Sequence, residues 1–263
     1  YLVEGYFNIG SSSDVNDTLH IPAGTVVKFY NSDDYINSYG ILNSLGTEEN
    51  PVIFTSYKDD LNGVDSNGDG SQTQPSANDW GYIKLYNSNN VFEHCKVMYA
   101  DEGVYVYNSS PTIRNNEISQ CNSSGIYCQS SHSSSLPIYT PLIDGNQITD
   151  CGVGIKLDAS YNTGTNHSFL NPVIQNNEIT GSDYPYYFID TSFPTFSNNT
   201  YSGLTYPTIK VKGYIGRSGT WVNDNDFPYL VEGDFNIGIS SDVNDPLHIP
   251  AGTVVKFYNS DDY

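Results

Sequence analysis

Apolar residues in this chain alternate with polar ones in short bursts, and the bursts recur. "SPTIRNNEISQ" from Ser110, "TPLIDGNQITD" from Thr140, "NPVIQNNEITG" from Asn171 and "FPTFSNNTYSG" from Phe193 share one frame. The frame is a proline, a large apolar residue two later, Asn five later and a second apolar residue seven later. It reads Pro111, Ile113, Asn116, Ile118; Pro141, Ile143, Asn146, Ile148; Pro172, Ile174, Asn177, Ile179; and Pro194, Phe196, Asn199, Tyr201. The prolines are 30, 31 and 22 residues apart. An earlier turn fits loosely, with Phe92, Cys95 and Val97 in the last three places. Alternation of this kind predicts strands of a few residues with one face buried. A second short strand follows each turn, as in "GIYC" and "GIKL". No stretch sustains the 3.6-residue apolar period of a helix. One rung cannot bury its own apolar face, but stacked rungs can, with like residues about 4.8 Å apart. A coil of roughly 22 residues per turn, with longer loops inserted, predicts an all-β, right-handed parallel β-helix.

The Asn column has a physical reason. Asn tolerates left-handed backbone at a tight bend and bonds to neighbouring backbone. Stacked on itself, its amide also bonds to the Asn above and below. The alternative is a set of ordinary turn asparagines. Cys121 and Cys151 share a frame position in consecutive turns. A packed thiol column is favoured there over a bridge, because parallel stacked side chains seldom meet the disulfide dihedral.

A much longer repeat encloses this one. Tyr1 to Tyr35 returns as Tyr229 to Tyr263, offset by 228 throughout. Only Tyr6/Asp234, Ser11/Ile239 and Thr18/Pro246 differ. The expected organisation is one unit, residues 1–228, followed at 229–263 by the start of the next tandem unit. The copy breaks off after "DDY", which the first copy continues into "INSYGILNSLG". "IKVKGYI" and a polar bridge at "NDND" lead from one unit into the next, with no amphipathic capping helix between them.

Composition agrees with many short strands and turns: Tyr and Gly each number 23, Met only one. The formal net charge of −20 opposes binding to nucleic acid or an anionic membrane. No apolar run is long enough for a membrane-spanning helix. The cysteines Cys95, Cys121, Cys128 and Cys151 lack zinc-type spacing. Asn-x-Ser/Thr sequons at Asn16, Asn108, Asn122, Asn166 and Asn198 are compatible with a glycosylated surface protein, although an Asn- and Ser-rich chain forms them by chance.

"LHIPAGTVVKF", "LGTEENPVIFTSYKDD", "VDSNGDGS", "NDWGYIKL" and the "SPTIRNNEI" turns occur in that order. Together they resemble the right-handed parallel β-helix repeat proteins of prokaryotic cell surfaces, relatives in fold of the pectate lyases. The resemblance implies the fold, tandem modules and an extracellular or cell-surface location more firmly than any activity.

The richest local chemistry is "DLNGVDSNGDGSQTQPSANDW". Asp65, Asn67 and Asp69 alternate and Gly70 follows, which is the first half of a Ca²⁺ loop. Ser71 would lend its carbonyl. Ser76 stands where an EF-hand has its bidentate Glu, and no flanking helices are predicted. Asp79, Asp60 or Asp59 would therefore close the shell. The resembled proteins carry a similar loop, which implies calcium; the alternative is a polar turn without an ion.

Catalysis has less support. The two arginines, Arg114 and Arg217, fall in different parts of the coil. The pairs Asp33/Asp34, Asp59/Asp60 and Asp101/Glu102 read as solvated turns, and His94, His132 and His167 are scattered. His20 and its copy His248 are expected to face solvent. Tyr82, Tyr86, "YVYN" at Tyr105 and "YPYYF" at Tyr184 place aromatic rings on an outer face or in the core. The expected function is a non-catalytic extracellular fibre or surface stalk, self-associating end to end or through tandem units and held by Ca²⁺. A carbohydrate-binding adhesin is the alternative, with glycans as partners, and a polysaccharide lyase or hydrolase comes third.

Overall fold

A computed structural model describes residues 1–131, 137–159, 168–222, 224–238 and 246–258. The described residues contain no helix, and every pairing between named strands is parallel. Three long sheets form the faces of a right-handed coil. The first has eight strands, from Leu2–Val3 to Thr200–Ser202. The second has ten, from Tyr6–Ile9 to Val255–Phe257, and the third seven, from Thr18–Pro22 to Thr195–Ser197. Among the described residues no helix is long and apolar enough to cross a membrane.

Like residues do sit over like. Phe92, Ile113, Ile143, Ile174 and Phe196 form one inward column of the third sheet. Val97, Ile118, Ile148, Ile179 and Tyr201 form another in the first sheet. Val104, Ile126, Ile155, Tyr186, Ile209 and Tyr229 do the same in the second. Each frame thus supplies one core residue to each of two faces, and the strand after it supplies the third. The columns meet in one continuous apolar core.

The Asn column is a ladder. Asn116 Nδ2 donates to Asn146 Oδ1 at 2.8 Å, Asn146 to Asn177 at 2.9 Å and Asn177 to Asn199 at 3.0 Å. Each amide also donates to a backbone carbonyl: Phe92, Ile113, Ile143 and Ile174 in turn. Cys95 ends the ladder on one side, its N–H donating to Asn116 Oδ1 at 2.9 Å. Asp224 ends it on the other, accepting from Asn199 Nδ2 at 2.9 Å. The left-handed backbone, however, belongs to the residue before each ladder Asn: Asn115, Gly145, Asn176 and Asn198, with φ from 56° to 67°. The bend is made one position early, and this turns the following amide into the core.

All four cysteines are free thiols and buried. Cys121 and Cys151 occupy matching corners, as a thiol column requires. The neighbouring Cys151 and complete burial hold the Cys121 thiol well above its ordinary pKa, and burial pushes Cys95 up to about 12. His20 and His248 are exposed, as expected. His132, His167 and Asn166 lie outside the described residues.

The acidic pairs are less solvated than expected. Asp34 and Asp59 are buried. Asp34 accepts from the N–H groups of Gly5, Tyr30 and Asn31 at 2.6–2.8 Å, so it closes its own turn and ties it to the preceding coil. Glu102 is largely covered as well. In a coil whose turns stack, a carboxylate aimed along the axis meets the next turn rather than water.

Candidate functional site

The segment between Val52–Ser56 and Ile83–Leu85 leaves the coil and lies over the outer side of the first sheet. Lys28 anchors it from below. Its buried ammonium donates to the carbonyls of Asp59 and Val64, both at 2.6 Å. Beyond this anchor the loop wraps its own carboxylates. Asp65 accepts from Gly68 N at 2.7 Å and Gly70 N at 2.9 Å. Asp69 accepts from Gln72 N and Thr73 N, both at 2.9 Å, and from Thr73 Oγ1 at 2.5 Å. The Thr73 hydroxyl above all lowers the pKa of Asp69. Gly68, Gly70 and Ser71 take left-handed backbone, with φ of 70°, 63° and 75°, which curls the chain around Asp65.

Three carboxylates come together: oxygens of Asp60, Asp65 and Asp69 lie within 4.8 Å of one another. Hydrogen-bond accounting separates the three residues suggested for closing the shell. Asp59 is used by Thr55 Oγ1, Asn62 Nδ2 and two backbone N–H groups. Asp79 is used by Lys58 at 2.7 Å, Ser56 at 2.7 Å and Ser76 N at 3.1 Å. Those bonds outweigh its burial, which acts the other way, and lower its pKa. It stands apart from the three-carboxylate group. Asp60 is different: both its oxygens are buried and have no hydrogen-bond partner among the described residues. A carboxylate without water or donors is costly to bury unless a cation sits beside it. Asp60 and Ser71 also border one cavity of about 120 Å³. Asn67 Oδ1 accepts from Asp69 N at 3.3 Å and is held in the same loop. The oxygen-only donor set suits a hard divalent cation.

A second feature covers the outside of the second sheet. One outward column runs Lys84, Tyr105, Tyr127, Lys156, Tyr187, Lys210. Tyr35, Tyr82, Tyr86, Tyr107 and Tyr184 lie on the same side, and Tyr186 and Phe188 point into the core. Tyr105 and Tyr127 stack at 4.6 Å, Tyr35 and Tyr82 at 4.9 Å. The Lys84 ammonium is 3.9 Å from the Tyr105 ring centre and 4.3 Å from that of Tyr107. Partial burial lowers its pKa to about 8. Lys156 lies over Tyr127 at 4.1 Å and faces Glu102 at 3.8 Å.

Burial raises the Glu102 pKa to about 7, against the pull of Lys156. A carboxyl that holds its proton more tightly when folded loses stability as pH rises from its unfolded pKa, about 4.3, through 7. Glu102→Gln is therefore expected to leave stability unchanged at pH 4 and raise it by about 1–3 kcal/mol at pH 8. Urea midpoints at the two pH values measure this, and an equal shift at both removes the link to titration. The residue was read from sequence as part of a solvated turn; only the register, which brings it to Lys156 two coils away, reveals its burial.

The two arginines do not share a site. Arg114 pairs with Glu93 at 2.8 Å on the third sheet, whereas Arg217 packs on the Phe169 ring.

Parallel sheets, inward columns and an Asn ladder define a parallel β-helix protein carrying one acidic loop and one tyrosine–lysine face. The family model described as right handed beta helix region matches residues 25–170 and 81–228, and the chain belongs to that family. No curated protein and no solved structure matches the chain.

Proposed function

We propose that this chain is a structural unit of an extracellular, surface-attached filament, in which units of about 228 residues stack end to end. The observation that carries the reading is an internal comparison. Phe29 is fully buried against Trp80, at 4.0 Å between ring centres, because residues 36–85 lie over it. Its copy Phe257 is 55% exposed, and Val254 and Tyr258 are exposed beside it. At the other end the relation reverses. Tyr229 is 1% exposed and stacked on Trp221 at 4.2 Å, whereas its copy Tyr1 is 90% exposed. Each copy of the repeat thus leaves bare the side that the other buries. Between the two copies the coil runs without a break, Ile209–Ile215 of the unit pairing in parallel with Tyr229–Ile237 of the second copy.

Calcium is the proposed cofactor, held by Asp60, Asp65 and Asp69 with Asn67 and the Ser71 carbonyl as neutral oxygen donors. The ion would pin the loop to the coil, and the proposal assigns it no catalytic step. Calcium at a hundredfold excess over its Kd is expected to add about 2.7 kcal/mol of stability. Asp60→Asn should abolish that gain and, by removing an uncompensated charge, raise the stability of the metal-free protein. Melting curves with calcium and with EGTA measure both; identical curves for the native chain would refute the ion.

A second reading is favoured by the tyrosine–lysine face. Aromatic rings beside ammonium groups suit stacking and hydrogen bonding to sugars, so a carbohydrate-binding surface is compatible with the same filament. Electron microscopy of filaments from the native source tests the main reading. One unit advances the second sheet by eight strand steps, from Tyr6–Ile9 to Tyr229–Ile237, or about 38 Å at about 4.8 Å each. An axial rise of about 38 Å per unit is expected, and isolated particles without any axial repeat would contradict it.

A further inference from the structure

The duplicated segment pairs with itself in one register but in two different sheets. Leu2 and Val3 lie opposite Lys28 and Phe29 in the first sheet. Their copies Leu230 and Val231 lie opposite Lys256 and Phe257 in the second. The change is made at a single strand pair. Ile209–Ile215 carries Tyr229–Val231 on its first half and Phe235–Ile237 on its second. Between the halves one residue, Lys212, faces three: Glu232, Gly233 and Asp234. Gly213 and Gly233 take φ of 95° and 71° there, which an L side chain resists. Gly5, the copy of Gly233, has φ 85° and lies at the corner between the first and second sheets. The bulge is therefore an incipient corner. One sheet of the preceding unit divides into two sheets of the next.

The junction also has contacts that the first copy lacks. Glu232 reaches Lys210 at 2.8 Å and accepts from the Tyr187 hydroxyl at 3.0 Å, whereas its copy Glu4 is exposed. Asp234 replaces Tyr6, which stacks on Tyr35 at 6.0 Å. Asp234 instead borders a cavity of about 480 Å³ shared with Lys212, Gly213 and Glu232. One of the three substitutions between the copies thus falls on the bend.

We infer that successive units join with an offset of one face: the first sheet of the following unit is built on the second sheet of the unit before. This rests on the tandem reading above. Lys28, on the outer side of the first sheet, tethers the acidic loop through the carbonyls of Asp59 and Val64. Its copy Lys256 stands in the outward column of Lys156, Tyr187, Lys210 and Leu230. A loop tethered to Lys256 lies one face round from the first loop and, as the first loop contacts Tyr99 and Gln120 of later coils, rises over the continuation of that column.

The test is the crystal structure of a two-unit chain, made by placing residues 36–228 after Tyr263. The expected result puts the second acidic loop over the continuation of the Lys156–Lys210 column, one face round from the first loop. A second loop directly above the first, on the same face, overturns the offset while leaving end-to-end stacking intact. Two coils that share no strand pairing overturn the stacking itself, and the offset with it.

Discussion

Asn146→Ala is expected to lower stability by about 3–6 kcal/mol, one of the largest single effects in the chain. Asn146 Oδ1 accepts from both Asn116 N, at 3.1 Å, and Asn116 Nδ2. Its own amide nitrogen satisfies the Ile113 carbonyl at 3.0 Å. Truncation leaves the Asn116 N–H and one of the two Asn116 amide hydrogens without an acceptor and takes a donor from the Ile113 carbonyl, and each buried orphan costs about 1–3 kcal/mol. Asn199→Ala is expected to cost less, because Asn199 is only partly buried and water reaches its neighbours. The measurement is the denaturant midpoint of each variant with the slope of the transition checked for constancy. A loss below about 1 kcal/mol for Asn146→Ala would reduce the ladder to a row of turn residues.

The second large effect comes from one residue type placed twice. Phe29→Ala is expected to cost about 3–5 kcal/mol, since it empties a site stacked against Trp80 in a closed core. Phe257→Ala, the same change in the same local sequence, is expected to cost less than about 1 kcal/mol in the 263-residue chain, where that ring is mostly exposed. The pair separates intrinsic strand preference from burial. Equal costs would mean that the second copy is buried by some other part of the molecule.

The coil was legible because its period is written in side chains. Pro, Ile and Asn return at fixed offsets, so the columns through Ile113 and Ile118 follow from counting. The thiol column at Cys121 and Cys151 follows from the same frame. What was hidden depends on loops whose lengths differ from coil to coil. The register that sets Lys84 on Tyr105 and Glu102 near Lys156 cannot be counted across such insertions. Asp224, which ends the Asn ladder, sits in a polar stretch read only as a bridge. Asp34 and Asp59 resemble any acidic turn until the neighbouring coil is placed over them. In the acidic loop, spacing marked Asp65, Asn67 and Asp69 and left three residues to complete the set. The bonds made by Asp59 and Asp79, and the lack of any at Asp60, separate them only in three dimensions. The bend at Gly213 and Gly233 was equally silent, since "IKVKGYI" reads as one straight strand.

Amide hydrogen exchange across Val255–Phe257 gives the most direct test of the open-ended coil. The comparison is between the 263-residue chain and the same chain extended after Tyr263 by residues 36–85. Covered by their proper neighbours, these amides should slow to the protection of Val26–Phe29, their copies in the first turn of the unit. Unchanged, fast exchange in the extended chain would mean that the second copy does not template the next rung.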